Sequence, residues 1–96
     1  MRTDTYWVYI LASQPNGTLY IGVTNALPKR IEQHRSGRGS EFVKKYGVFL
    51  LVHAEAFASP QEAIAREKPL KNWRRDWKIQ LIEKENPGWS DLSHLL

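Results

Sequence analysis

Two apolar segments near the start of the chain, residues 6–13 and 18–23, are rich in tyrosine, valine, isoleucine and leucine. Between them lies the polar break Gln14-Pro15-Asn16-Gly17, whose glycine can adopt a positive φ. Short β-rich runs on either side of such a break are typical of a β-hairpin. We therefore predict two antiparallel strands joined by a four-residue loop.

The register of this hairpin decides which side chains share a face of the sheet. With four residues in the loop, Leu11 pairs with Tyr20. By the same count Tyr9 pairs with Gly22, so Tyr9 and Tyr20 are predicted to be diagonal neighbours on one face. A slip of one residue would place them on opposite faces.

A helix is predicted after the second strand. Thr24 or Asn25 can cap it, and Pro28 suits its first turn, where a missing N–H costs nothing. We expect the helix to end near Ser36, where Gly37 and Gly39 stop it.

This helix carries two different stripes. Leu27 and Ile31 are predicted to make its core contacts. Arg30 and His34 are four residues apart and therefore lie one turn above the other.

Residues 37–47 are basic and bounded by glycines. This composition predicts a loop or a short helix. We expect it to be anchored to the body of the domain by Phe42, Val43 and Tyr46. The following segment, residues 48–57, is an almost unbroken apolar run, as expected of a strand covered on both faces. We predict that it forms the third strand and the centre of the sheet.

Two helices are predicted in the last third of the chain. The first begins with Ser59 as cap, Pro60 at the first helical position and Glu62 completing a capping box. Pro69 is expected to break or kink it. A second helix with apolar residues at three- and four-residue spacing then runs to Asn86.

Length and composition favour one soluble domain over residues 1–96, because 96 residues bury one core with little surplus. Cysteine is absent, which excludes a disulfide framework and fits a reducing cytoplasm. No apolar stretch approaches the roughly 18–20 residues of a membrane span. We expect a cytoplasmic protein with no membrane association.

The basic residues are concentrated in two segments. Residues 28–47 and residues 66–78 each carry a net charge of +4, which leaves −4 on the rest of the chain. Such concentration fits a phosphate-binding surface, although a solvated helix face has the same pattern. The candidates for nucleic-acid binding are Lys29, Arg35, Arg38, Lys44, Lys45, Lys71, Arg74 and Arg75.

Glu67 is the most informative acid, because Ala63, Ile64 and Leu70 lie three or four residues from it on one helical stripe. A carboxylate among apolar side chains is costly unless a cation meets it. One reading is a salt bridge within the helix. Three nearby cations could form it: Arg66, Lys68 and Lys71. The other reading is a divalent metal, because one carboxylate with waters and substrate phosphates is an ordinary Mg²⁺ site.

The remaining polar candidates also have two readings. Arg30 and His34 can be a solvated surface pair, and Tyr9 and Tyr20 can be packing residues with hydroxyls at the sheet rim. Together with a metal held by Glu67 they would form a phosphodiester site. The metal would activate water, the arginine would offset charge in the transition state, and the histidine or a phenol would move protons.

The motifs "WVY" at 7–9 and "YIG" at 20–22, followed by Arg30, His34 and Glu67, resemble the GIY-YIG nuclease domain over essentially the whole chain. "GTLYIGVTN", "FVKKYG" and "LKNWRRDWKIQLIE" are similar to the short standalone bacterial UPF0213/YhbQ-like group. The resemblance implies an α+β fold, with a small three-stranded antiparallel sheet flanked by helices. It also implies one-metal hydrolysis of phosphodiesters.

Carried over residue by residue, the resemblance makes Tyr9 and Tyr20 the paired active-site tyrosines. Arg30 becomes the phosphate-binding arginine, and His34 takes a proton-handling or phosphate-contacting place. Glu67 becomes the ligand of Mg²⁺ or Mn²⁺.

Three further positions concern the same resemblance. Many relatives use an asparagine near the end of the domain, and Asn86 is preferred over Asn72 for that place. Trp7 stands where the first motif has glycine, so its indole either crowds the site or points to the opposite face of the sheet. We expect no separate DNA-binding domain, so that affinity comes from this domain or from a protein partner that supplies specificity.

The main hypothesis is therefore a metal-dependent DNA endonuclease. No helix offers several base-contacting side chains, so we expect selection by structure rather than by sequence, with branched, nicked or single-stranded DNA as the target. A role in DNA repair or recombination would suit such substrates. The alternatives are a catalytically weak nucleic-acid-binding or adaptor module on the same scaffold, and a protein-interaction domain for an acidic partner.

Overall fold

The computed structural model describes residues 5–96 and has an α+β architecture with one three-stranded antiparallel sheet, as predicted. The strands are β1 (Tyr6–Ala12), β2 (Leu19–Thr24) and β3 (Leu50–Phe57). The helices are α1 (Leu27–Arg35), α2 (Glu41–Tyr46), α3 (Pro60–Asn72) and α4 (Arg75–Glu85), and a 3₁₀ turn covers Leu92–Leu95. None of the helices among these described residues has the length and apolarity needed to cross a bilayer.

The β1–β2 hairpin has the predicted register. Tyr9 pairs with Gly22, and Leu11 pairs with Tyr20. Arg75 at the start of α4 donates hydrogen bonds to two carbonyl oxygens of the hairpin loop. The loop is therefore held from outside as well as by its own turn.

The strand order is β2-β1-β3, so the prediction that residues 48–57 form the centre of the sheet is wrong. The outer edge of β3 is covered by the segment that follows α4. Asn86 Nδ2 donates to the Val52 carbonyl at 3.2 Å, and Leu51 N–H donates to Asp91 Oδ1 at 3.2 Å. An edge strand can be buried when other segments cover its free backbone groups. The apolar run in β3 therefore indicates that the strand is buried and does not indicate that it is central.

The two faces of the sheet are packed against different helices. Val8 and Ile10 point toward α3 and α4, whereas Tyr9 and Leu11 point toward α1 and α2. These four side chains are at most 1% exposed, and full burial of the three aliphatic ones contributes about 1.5–3 kcal/mol each. The helix residues that cover them are Ala63, Leu70 and Ile82 on the first face, and Leu27, Ile31 and Val43 on the second.

Helix α3 begins as predicted and ends later than predicted. Ser59 caps it and accepts a hydrogen bond from Glu62 N–H at 3.2 Å. The helix continues through Pro69 to Asn72, so of the predicted break or kink at the proline the break is wrong and the kink stays a prediction. Leu70 is fully buried, and its packing holds the last turn in place although the proline removes one backbone donor.

The basic segment before β3 forms the short helix α2, capped by Ser40 and ended by Gly47 at φ +63°. Of the three predicted anchors only Val43 is buried. Phe42 is 41% exposed and contacts the sheet by stacking on the Tyr20 ring, whereas Tyr46 is 49% exposed and packs on Phe42. These two residues are four apart and therefore share one stripe of α2.

Candidate active site

The hairpin register brings the two tyrosines together. The ring centroids of Tyr9 and Tyr20 are 6.4 Å apart. The Tyr9 ring lies across Gly22 on the neighbouring strand, where a Cβ atom would stand 2.5 Å from the tyrosine Cζ. Glycine is therefore required opposite Tyr9, because any other side chain would displace the phenol.

Helix α1 adds a histidine to this pair. Ala26 is the N-cap residue, so the predicted cap at Thr24 or Asn25 is wrong. The Ala26 N–H donates to Thr24 Oγ1 at 3.0 Å. His34 is 1% exposed, and its Nε2 lies 2.8 Å from Tyr9 Oη. Its ring also meets the Tyr20 ring edge-on at 5.3 Å. Two phenols and one imidazole therefore form a single cluster.

The other side of the His34 ring is closed by backbone. A Cβ atom on Gly39 would stand 2.5 Å from His34 Nδ1. Within residues 5–96 this nitrogen is buried and has no hydrogen-bond partner. Burial, with a smaller contribution from the charge of Arg30, lowers the pKa of His34 from its usual 6.5. The imidazole is therefore neutral at physiological pH.

Arg30 lies one turn before His34 and faces the phenols. Its Nη1 donates to Gln33 Oε1 at 3.2 Å, and a guanidinium with five N–H donors has others to offer a ligand. Interaction with the Tyr9 phenol, and attraction to Tyr20, raises the pKa of Arg30 above its usual range. The side chain is a permanent positive charge beside both hydroxyls.

The Tyr9 hydroxyl is a poor acid in this setting. Burial raises its pKa to about 12, and the nearby Arg30 opposes this shift without cancelling it. Tyr20 and Glu67 each add to the rise. At pH 7 only about one phenol in 10⁵ would be ionised, so Tyr9 serves as a hydrogen-bond donor unless another group takes its proton.

Glu67 lies on α3, which packs on the other face of the sheet from Tyr9. The carboxylate is near enough to Tyr9 to influence its pKa, and the side chain is 18% exposed. Lys71 Nζ lies 3.3 Å from Glu67 Oε2, so the helix salt bridge considered from the sequence is present. Ile64, placed on the same stripe by the sequence argument, is 43% exposed.

The Glu67 carboxylate is the candidate metal ligand of this cluster. Among residues 5–96 no group of three or more histidine, cysteine or acidic side chains converges. One partly exposed carboxylate paired with a lysine is compatible with Mg²⁺ or Mn²⁺, which complete their coordination with waters and substrate phosphates. Glu67 is the residue that would hold such an ion.

The two candidate asparagines lie outside the tyrosine cluster. Asn86 Nδ2 donates to the carbonyls of Val52 and Ser90, and its Oδ1 accepts from Ser90 N–H, so the amide closes the edge of β3. Asn72 Nδ2 donates to the Lys68 carbonyl at the end of α3. A catalytic role for either asparagine remains a prediction.

Trp7 has the same strand parity as Tyr9 and therefore shares its face of the sheet. The alternative that it points to the opposite face is wrong. The indole packs beside the cluster of Leu27 and Leu51 and lines a cavity of about 370 Å³ together with Asn86. It lies next to the β3 side of the domain, whereas the phenol of Tyr9 crosses toward β2.

The eight predicted phosphate-binding residues differ in what they already contact. Arg35 donates to the Phe49 carbonyl at 2.9 Å and to Asp91 Oδ2 at 2.8 Å, and Arg75 holds the hairpin loop. A phosphate would have to displace these bonds. Arg74 pairs with an acid two residues away. The other five are exposed along α1, α2, α3 and their flanks: Lys29, Arg38, Lys44, Lys45 and Lys71. Phosphate binding by this set remains a prediction.

Sequence reasoning missed one residue that shapes the cluster. The sequence predicts that Gly39 helps to end α1, whereas in the structure this glycine packs against His34. Nothing in the local pattern signals that contact, because it depends on how the segment after α1 folds back. The Gly22 contact did have a signal, since the hairpin register places that glycine opposite Tyr9.

A family model described as the GIY-YIG catalytic domain matches residues 5–80. A UPF0213 protein of Clostridium perfringens is 39% identical over 80 residues, which are 83% of this chain and 85% of the relative. A UPF0213 protein of Bacillus velezensis is 35% identical over 85 residues, which are 88% and 85% of the two chains. The solution NMR structure of a UPF0213 protein from Bacillus halodurans is similar at a TM-score of 0.57 and 33% identity, covering 95% of this chain and 96% of that one.

Proposed function

Because the chain belongs to the GIY-YIG catalytic domain family, a family of nucleases, we propose that it is a metal-dependent endonuclease that hydrolyses DNA phosphodiesters without a covalent intermediate. One observation carries the proposal. Two phenols, a permanent guanidinium charge and a neutral buried imidazole meet at one place, with a carboxylate close enough to influence one phenol.

Arg30 supplies the anion-binding part of the site. A scissile phosphate gains negative charge in the transition state, and a fixed cation stabilises that charge most strongly where water is partly excluded. The guanidinium remains protonated at any working pH and has free donors for phosphate oxygens. Tyr20, at the rim beside it, can donate a further hydrogen bond.

Tyr9 and His34 form the proton-handling part. The phenol alone is too weak an acid to act as a base near pH 7. Its 2.8 Å contact with His34 offers a route, because a neutral imidazole Nε2 can accept the phenolic proton while Tyr9 Oη takes a proton from the attacking water. The lowered pKa of His34 keeps the imidazole ready to accept.

Glu67 completes the site by holding Mg²⁺ or Mn²⁺. When bound, such an ion acts as a Lewis acid toward the phosphate and lowers the pKa of a water molecule. Lys71 stabilises the Glu67 carboxylate when the ion is absent, and its exposed ammonium can turn toward a phosphate when the ion is present.

The same proposal includes how the protein binds DNA, which DNA structures it cuts and where it acts. The exposed lysines and arginines around α1 and α2 bind DNA phosphates, which favours recognition of backbone and shape. The substrates are branched, nicked or single-stranded DNA, and the biological setting is DNA repair or recombination. A protein partner supplies further specificity, and the protein acts in the cytoplasm.

A second candidate function has one observation in its favour. The salt bridge of Glu67 with Lys71 stabilises the carboxylate without any metal, which suits a nucleic-acid-binding or adaptor module with weak turnover. Such a module would bind DNA in a salt-sensitive manner, and its affinity would survive Glu67→Ala.

A panel of labelled duplex, nicked, branched and single-stranded DNA tests the first proposal. Wild type is expected to cut at least one member only with Mg²⁺ or Mn²⁺, and Glu67→Ala is expected to lose this cleavage while remaining folded. Glu62→Ala removes an exposed carboxylate from the same helix and should keep the activity. Absence of cleavage by wild type, or equal cleavage by Glu67→Ala, would reject the nuclease proposal.

A further inference from the structure

Phe42 and Tyr46 continue the aromatic cluster beyond the site. The Tyr20 and Phe42 rings are stacked, with centroids 6.2 Å apart and planes inclined by 30°. Phe42 and Tyr46 follow at 4.9 Å. Exposed aromatic side chains in a continuous row cost free energy in water, and such rows are where nucleobases stack in proteins that bind single strands.

Two members of this row, Tyr20 and Phe42, line a groove. The groove has a volume of about 300 Å³, and its other lining residues are Leu19, Ile21, Lys71 and Lys78. It therefore has two aromatic rings and a cationic wall of two ammonium groups. A volume of this size is at the small end of ligand clefts and fits a single nucleotide rather than a duplex.

The cationic wall is held in position. Lys78 Nζ donates to the Lys71 carbonyl in the last turn of α3 at 3.1 Å, which leaves two ammonium protons for a ligand. Lys71 pairs with Glu67, so this wall adjoins the carboxylate of the active site. Tyr20 belongs both to the groove and to the phenol pair.

We propose that this groove is a subsite for one unpaired nucleotide next to the scissile phosphate. Its base stacks on Phe42, and its phosphate meets Lys78. The inference rests on the proposed nuclease function and deepens it, because a base can reach Phe42 only after it has left the duplex stack. Strands with an unpaired nucleotide at the cleavage position are thus bound in preference to intact duplex.

A binding assay tests the subsite without requiring catalysis. The probe is a short single-stranded deoxyoligonucleotide that contains 2-aminopurine, mixed with the protein in EDTA so that nothing is cut. Stacking should quench the 2-aminopurine fluorescence in wild type. Because one base–aromatic contact contributes roughly 1–3 kcal/mol, Phe42→Ala should weaken affinity by about fivefold or more and remove the quenching.

Three further variants test whether the loss of affinity comes from lost stacking on Phe42. The other possible causes are lost apolar volume at this position and loss of any exposed aromatic side chain. Phe42→Leu should behave like Phe42→Ala, and Phe42→Trp should keep wild-type affinity. Trp77→Ala removes an aromatic side chain of similar exposure from a different groove and should leave binding unchanged. Wild-type affinity in Phe42→Ala or Phe42→Leu, or an equal loss in Trp77→Ala, would overturn the subsite.

Salt dependence tests the lysine wall. For a single strand each neutralised phosphate adds about −0.7 to the slope of log affinity against log salt, so Lys78→Gln should reduce the slope by about that amount. An unchanged slope would reject the phosphate contact. If the oligonucleotide binds through Phe42 and no metal supports cleavage, the nuclease proposal fails and the groove stands only as a nucleotide-binding site. If Phe42→Ala cleaves DNA as well as wild type does, the subsite fails and the nuclease proposal stands.

Discussion

Replacing Gly22 with alanine is expected to displace the Tyr9 ring and so disturb the whole site. The new methyl group would stand 2.5 Å from Tyr9 Cζ and 2.9 Å from its Cε1, and real Cβ atoms do not approach other atoms so closely. The ring cannot move freely, because it is 1% exposed and bonded to His34. Either the strands separate locally or the phenol leaves the imidazole.

The size of the effect follows from three contributions. Overpacking a core costs about 1–3 kcal/mol. Loss of the Tyr9–His34 hydrogen bond costs about 1 kcal/mol more. Removing a glycine from a strand returns about 0.5–1 kcal/mol. The net loss of unfolding free energy should be about 1–3 kcal/mol, which in a domain of this size lowers Tm by about 4 °C or more.

Urea denaturation and thermal unfolding of Gly22→Ala measure this loss, with Gly88→Ala as the matched control. A Cβ on Gly88 would meet only Ser90 Oγ at 3.8 Å, so the control should be neutral or slightly stabilised. In a Tyr9→Leu background the ring is gone, and Gly22→Ala should then cost little. Additive losses in the double variant, or wild-type stability of Gly22→Ala, would refute the reasoning.

The remaining predictions concern three side chains of α1 and β1. Tyr9→Phe removes the hydrogen bond to His34 and should lower the free energy of unfolding by about 1 kcal/mol in urea; no change would show that the bond contributes nothing. The pKa of His34 is lowered in the folded state, so the unfolded chain binds more protons and stability should fall as pH drops below about 6.5. His34→Gln should flatten that decline, whereas the exposed-site control His94→Gln should keep it. Arg35→Met loses the bonds to Phe49 and Asp91 and should lower stability by about 1 kcal/mol, and an unchanged urea midpoint would contradict this.

The sequence was sufficient for the parts of the site that depend on local periodicity. A four-residue hairpin loop determines which residues pair, so the juxtaposition of Tyr9 and Tyr20 follows from counting. Helical spacing likewise places Arg30 one turn from His34. The contact between His34 and Tyr9 was not predictable in this way, because it depends on how α1 packs onto the sheet.

The sequence was insufficient where tertiary packing overrides local preference. A proline inside an isolated helix is strongly unfavourable. In α3 the burial of Leu70 keeps the last turn in place after Pro69. The apolar run around Leu51 is expected both of a central strand and of an edge strand that another segment covers. The sequence does not show that the segment after α4 bonds to this strand and covers its edge. Phe42 is apolar, yet it lies at the surface beside the site.

The central claim is that Glu67 holds a divalent ion within reach of Tyr9 and Arg30. Paramagnetic broadening by Mn²⁺ tests this in NMR spectra recorded with an uncleavable phosphorothioate oligonucleotide, which supplies the phosphate oxygens that the ion needs. Resonances of Tyr9, Arg30 and Lys71 should broaden together in wild type and stay sharp in Glu67→Ala. Broadening centred on another carboxylate such as Asp91, or unchanged in Glu67→Ala, would contradict the account.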